Sequence, residues 1–205
     1  FTIGGKEIKL SLAGPGNIEN ALAAWAICSR LGLTLDDFAQ ALRTLPPVSM
    51  RAELLQIGTL TVLNDCYNAN PASMRNALDI LTTLDSIGKR RLVFICGDMA
   101  ELGQQTERLH AELGASIARA KVQVLLAVGK FAKIAADAAR KNAAYELQIK
   151  CFEDTLSACN NLHEFIKDYD IILVKGSRIS KLEMVVEKLK IRREDSCKAG
   201  SQSWA

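Results

Sequence analysis

The 205-residue chain has few of the features that mark membrane, secreted or nucleic-acid-binding proteins. Long hydrophobic runs are missing: stretches such as 124–128 and 171–174 fall far short of the roughly 20 residues that a spanning helix needs. Aromatics make up only 5%, and no Lys/Arg stripe with interleaved aromatics appears. With 26 basic and 23 acidic residues, the net charge of +3 is too balanced to argue for nucleic acid. Residues 1–9 alternate and carry charges, so no secretory leader is expected there. The six cysteines, at 28, 66, 96, 151, 159 and 197, form no Cys-x-x-Cys pair. Several sit in apolar runs such as Val93-Phe94-Ile95-Cys96, where a thiol behaves as a small hydrophobe. Neither a disulfide framework nor a zinc site is expected, and a reducing cytoplasm is the expected compartment.

What is present is an ordinary globular balance, 49% hydrophobic and 24% charged, long enough for one domain plus something extra. Residues 1–12 alternate around Gly4-Gly5 and predict a hairpin. After Gly14-Pro15-Gly16, Asn17 is the expected cap of a helix to Leu31, and Thr34 with Asp37 resembles a capping box opening a second helix to about Thr44. Pro46-Pro47 ends that helix, and a domain boundary is placed near 48–51. Beyond it the rhythm changes. Strands at 54–57, 60–64, 92–96, 124–128, 148–151 and 171–174 alternate with helices at 72–84, 106–120, 131–141, 154–167 and 181–190. That order predicts an α/β domain, a mostly parallel sheet with helices on both faces, and ligands beyond the carboxyl ends of the strands. The tail, 192–205, has no periodicity and is expected to be disordered.

Three loops that follow strands are rich in polar groups: Asn64-Asp65-Cys66-Tyr67-Asn68-Ala69-Asn70-Pro71-Ala72-Ser73, Gly97-Asp98-Met99-Ala100-Glu101-Leu102-Gly103, and Lys175-Gly176-Ser177-Arg178. Carboxylates, amides, a hydroxyl and cations at one sheet edge suit a zwitterionic or phosphorylated ligand. Turn and cap chemistry accounts equally well for Asp65 and Asn70, and a solvated turn for Lys175 to Arg178. Neither G-x-G-x-x-G nor G-x-x-x-x-G-K-[ST] occurs, which removes both dinucleotide and phosphate-loop readings. His110 shares a helical face with Leu113 and Ile117 and reads as structural, as does His163. No nucleophilic triad can be assembled.

These loops resemble the MurF branch of the Mur ligases, and Asn17-Ile18-Glu19-Asn20-Ala21-Leu22-Ala23-Ala24 resembles that family's H-N-x-x-N-A-L-A-A helix, with Gly16 in place of histidine. The resemblance spans about 1–189. It implies that 1–50 ends a central α/β ATPase domain and that 51–191 is the Rossmann-like C-terminal domain, which brings the amino component. Family ligases use ATP and Mg2+ to activate a peptide carboxylate as an acyl phosphate, which the amine of D-Ala-D-Ala then attacks. The parent substrates would be UDP-N-acetylmuramoyl-tripeptide and D-Ala-D-Ala, handled by a monomer. By the resemblance Asn17 and Asn20 face adenine, Arg51 reaches ATP and Asp65 holds the ribose. Asn68, Asn70, Ser73, Asp98, Glu101, Lys175, Ser177 and Arg178 are candidates for the dipeptide side. The family's phosphate loop, magnesium ligands and modified lysine have no counterpart here, so this chain alone is expected to be inactive. Phe at position 1 reads as a truncation. A non-catalytic binding module and a folylpolyglutamate-type ligase are the competing readings; the latter usually carries histidine where this chain reads Tyr67-Asn68-Ala69-Asn70.

Overall fold

The computed structural model describes residues 1–12, 14–46, 48–85 and 88–191. The tail at 192–205 and Pro47 lie outside them. The hairpin is shorter than its alternation predicts: β1 (Thr2–Ile3) and β2 (Lys6–Glu7) pair around Gly4 and Gly5, whose φ values of 55° and 81° make the turn. Next come α1 (Pro15–Arg30) and α2 (Leu35–Arg43). Asn17 is not the cap of α1. The helix starts earlier, with Gly14 at the N-cap and Pro15 where a missing N–H costs nothing, and the Gly14 carbonyl accepts the Asn17 N–H at 3.1 Å. Thr34 does cap α2, accepting the Asp37 N–H at 3.2 Å while its hydroxyl donates to the Asp37 carboxylate at 2.6 Å. Ile8, Ala21, Phe38, Ala39 and Leu42 form a small core of their own, with the Trp25 ring tilted 47° against Phe38 at 5.2 Å.

The larger core is built around a six-stranded sheet of order β3-β4-β8-β5-β6-β7. Its strands are β3 (Glu53–Ile57), β4 (Leu60–Asn64), β5 (Leu92–Gly97), β6 (Val124–Val128), β7 (Gln148–Phe152) and β8 (Ile171–Lys175). β3 is antiparallel to β4 across Gly58, and every other pairing is parallel. Strands β4, β5, β6 and β8 are apolar and buried on both faces, as a parallel sheet between helix layers requires. The chain steps in one direction from β4 through β5 and β6 to β7. Right-handed crossovers therefore put α3 (Pro71–Leu84), α4 (Thr106–Arg119) and α5 (Ala132–Asn142) on one face, over Leu63, Phe94, Leu125 and Leu173. The step back to β8 puts α6 (Thr155–Phe165) on the other face, and α7, over 183–191, joins it there above Val62, Ile95, Leu126 and Ile172. The α7 helix starts later than its periodicity suggests, because Arg178–Ser180 make a 3-10 turn and Lys181 turns left-handed at φ 50°.

This topology positions the site. β4 and β5 send the chain to one face and β8, between them, sends it to the other. The loops diverge at the carboxyl ends and leave a crevice, where doubly wound sheets bind ligands.

Candidate functional site

A cleft of about 600 Å³ opens beside that crevice, walled by the start of α1, the segment leading into β3, the loop after β4 and the outer face of α3. Asn17, Asn20, Arg51, Asp65, Asn68, Asn70, Ser73 and Lys175 all line it, although they come from segments up to 158 positions apart. Asp98, Glu101, Ser177 and Arg178 do not line it.

Adjacency of β4 and β8 brings Asp65 and Lys175 together. Lys175 is 1% exposed and donates to Asp65 Oδ2 at 2.5 Å, to the Asn68 carbonyl at 3.0 Å and to the Asp65 carbonyl at 3.4 Å. Its charge is consumed in holding the loop. Asp65 Oδ1 accepts the Ala52 N–H at 3.0 Å, so one carboxylate links the linker, its own loop and β8. A carboxylate has about four acceptor positions, and those left over can meet hydroxyl groups in the cleft.

Further along the loop, Asn68 Oδ1 accepts the Ala69 N–H at 2.8 Å. Asn70 and Ser73 form a reciprocal capping box on α3, with 2.8 and 3.0 Å bonds, and Pro71 takes the first helical position. The other predicted loops spend their polar groups differently. Asp98 accepts the N–H groups of Phe131 at 3.0 Å and Ala132 at 2.6 Å, capping α5, while its carbonyl takes the Ser177 N–H at 2.8 Å. His110 is fully buried. Its Nε2 accepts the Met99 N–H at 3.0 Å and its Nδ1 faces the Thr106 carbonyl at 2.7 Å, so it fastens the loop after β5 onto α4. Glu101 is exposed at a positive φ of 61°. Arg178 pairs with Glu183 at 3.2 Å. Ser177 Oγ and Glu183 Oε2 are buried without a hydrogen-bond partner. Cys66, nearby, donates to Asn64 Oδ1 at 3.0 Å, and burial, helped by the Glu183 charge, pushes its thiol up to about 12. It is poorly suited to act as a nucleophile.

The residue-by-residue reading missed Glu19, Tyr67, Arg75, Asn76 and Asp79, which also line the cleft. Asn76 Oδ1 accepts the Gly16 N–H at 3.0 Å and ties α3 to the start of α1. A Cβ at position 16 would lie 3.3 Å from that oxygen, tight but not prohibitive. The spacing 72, 75/76, 79 is one helix turn per step, which puts these residues on the face of α3 that borders the cleft.

A doubly wound sheet with an antiparallel edge strand, carrying a cleft of amides, guanidinium groups and carboxylates beside its switch point, defines an α/β nucleotide- or small-molecule-binding protein. Residues 50–178 match the family model described as Mur ligase, glutamate ligase domain, and the chain belongs to that family. It is 34% identical over 192 residues to the UDP-N-acetylmuramoyl-tripeptide--D-alanyl-D-alanine ligase of Bacillus subtilis, covering 92% of this chain and 41% of the relative. The crystal structure of MurF from Acinetobacter baumannii superposes with a TM-score of 0.76 at 30% identity, covering 89% of this chain and 39% of that one. MurF ligase from Thermotoga maritima in complex with ADP shares the fold, with a TM-score of 0.72 at 22% identity, over 92% of this chain and 41% of that one. The chain thus spans about two fifths of the length of the relatives it matches. Among the described residues no helix is long and apolar enough to cross a membrane.

Proposed function

We propose that this chain is the amino-component part of an ATP-dependent ligase that joins D-Ala-D-Ala to UDP-N-acetylmuramoyl-tripeptide in the cytoplasm, and that the cleft receives the adenine nucleotide. One observation carries the reading: Asn17, Asn20, Arg51 and Asp65, drawn from three separate segments, share one cleft. Their chemistry fits the parts of a nucleotide. Amide side chains match the mixed donor and acceptor edge of adenine, a carboxylate accepts ribose hydroxyls, and a guanidinium pairs with phosphate oxygens. The relatives named for this reaction and the ADP held by the Thermotoga protein support the same assignment.

On this reading residues 1–50 are the end of the ATPase domain and 51–191 the domain that presents the dipeptide. The two meet across the cleft through Gly16 and Asn76. On the dipeptide side, Arg178 supplies the cation for the dipeptide carboxylate, with Ser177 and Glu101 beside the same crevice. Asn68, Asn70, Ser73, Asp98 and Lys175 shape the loops that surround it. Magnesium would accompany the phosphates in the parent enzyme. Among the described residues no three His, Cys, Asp or Glu side chains gather as a metal site. The chain works as a monomer and binds without turning over, since its sequence carries no phosphate loop.

Calorimetric titration with ADP and with D-Ala-D-Ala tests the reading, alongside a phosphate-release assay with ATP and both substrates. Binding of ADP without phosphate release is expected. A chain that binds neither ligand, or that releases phosphate by itself, overturns the reading.

A further inference from the structure

Arg51 carries the nucleotide phosphates in the reading above, yet it sits on a short segment between α2 and β3 and forms no ion pair among the described residues. Such a side chain would ordinarily sweep through solvent. Here the backbone on both sides of it is locked. Met50 and Ala52 hold positive φ values of 60° and 48°, a region that L residues occupy only when the surroundings over-determine it. The restraints are all visible. The Met50 N–H donates to Glu53 Oε2 at 3.0 Å and the Met50 carbonyl accepts the Tyr67 N–H at 3.1 Å. The Ala52 N–H donates to Asp65 Oδ1 at 3.0 Å. The Arg51 guanidinium carbon then lies 4.3 Å from the centroid of the Tyr67 ring, within cation–π range.

Arg178 approaches the same ring at 6.0 Å, but it pairs with Glu183 at 3.2 Å and lies outside the cleft. The ring thus stands between a paired cation and an unpaired one, and only the unpaired one faces the cleft. Tyr67 is 42% exposed, so its place in the fold is not explained by core packing.

We propose that Tyr67 is a positioning residue: its ring, together with the strained Met50-Arg51-Ala52 segment, holds the Arg51 guanidinium ready for an anionic phosphate group, so that the cleft distinguishes a phosphorylated nucleotide from its nucleoside. The proposal rests on the nucleotide reading for the identity of the ligand and on the geometry alone for the placing of Arg51. Preorganisation acts by sparing the ordering entropy of a long side chain at the moment of binding. Its effect therefore falls on phosphate recognition and leaves the adenosine contacts alone.

Two measurements on the full chain test it, each with Tyr67→Phe and Tyr67→Leu beside the wild type and with thermal melts to confirm folding. The first uses no ligand. The Arg51 side-chain proton resonances should be displaced by the ring current in wild type and Y67F and return to ordinary positions in Y67L. Unshifted Arg51 resonances in the wild type overturn the proposal. The second compares ADP with adenosine. Y67L should weaken ADP by roughly 2- to 5-fold, the range of one exposed cation–π contact, and leave adenosine affinity unchanged, whereas Y67F binds both like wild type. Equal losses for both ligands, or none, overturn the proposal. If the wild type binds no ADP while Arg51 stays ring-shifted, the nucleotide reading falls. Inorganic pyrophosphate then replaces ADP as the probe, and Y67L must weaken it by the same factor or the proposal falls too.

Discussion

Two polar loops leave β4 and β5, the strands on either side of β8, at the carboxyl end of the sheet and do opposite things with their charges. The loop after β4 joins Asp65 to Lys175 and to the linker, and in doing so builds one wall of an open cleft. The loop after β5 turns Asp98 and the backbone of Met99 inward, onto the start of α5 and onto His110. Each loop carries an aspartate directly after its strand, so the presence of that acid does not separate them. What separates them is the neighbouring element. α1 stands off the first loop across a gap, whereas α4 and α5 pack directly against the second. The α4–α5 contact is so close that a Cβ at Gly114 would lie 2.3 Å from the Ala135 carbonyl. Asp65 in the first loop can still meet a ligand; Asp98 in the second is spent on helix N–H groups.

The sharpest way to break this contrast is Lys175→Met. Removing one member of a buried ion pair leaves the other charge uncompensated, which costs about 3–5 kcal/mol. Urea denaturation should show that loss as a lowered midpoint at constant slope, and ADP titration should show weaker binding, because Asp65, which holds the Ala52 N–H, loses its own anchor. A change of under about 1 kcal/mol would mean that Lys175 is not the tie that shapes the cleft.

Asp98→Ala should act on stability alone. It removes the acceptor for two N–H groups at the start of α5, and loss of a cap costs typically about 1 and at most about 2 kcal/mol. ADP affinity should stay within about twofold of wild type, since nothing in the cleft changes. Loss of ADP binding with an unchanged melting point would reverse the roles assigned to the two loops. Asn70→Ala lies between these cases. Its cap on α3 is worth about 1 kcal/mol, and it sits on the cleft rim, so stability should fall slightly with only a small change in ADP affinity.

The same contrast shows what a sequence can disclose. The strand–helix alternation was legible because each apolar run is short and β-branched and ends in a polar loop, as at Val62-Leu63-Asn64-Asp65. The Asn70–Ser73 cap was legible because its partners are three residues apart. Long-range pairings were not. Lys175 lies 110 residues from Asp65 and meets it only because β8 inserts beside β4, and Asp98 caps a helix 33 residues downstream. Charge alone made Lys175 a candidate for a substrate carboxylate; burial at 1% shows it committed to the fold. Arg75, Asn76 and Asp79 escaped notice for a different reason, since polar residues on an exposed helix face look the same whether or not a second element stands across a gap from them.

The smallest expected effect isolates a purely local cap. Asp154 opens α6 by accepting the Ser157 N–H at 2.7 Å, and unlike Asp98 it caps its own helix. That backbone hydrogen bond, with a second from the Ser157 hydroxyl, holds its carboxyl below the ordinary value of 3.8. The folded state therefore binds this proton less tightly than the unfolded chain. The stabilisation is present above about pH 4 and is lost as the pH falls through the lower folded-state value. Asp154→Asn keeps an acceptor of similar capping strength but cannot titrate. Wild type should be the more stable of the two at pH 6, with a gap that narrows steadily as the pH falls below about 4, read from urea midpoints at each pH. A gap that stays constant down to pH 2 would show that the charge contributes nothing to the cap.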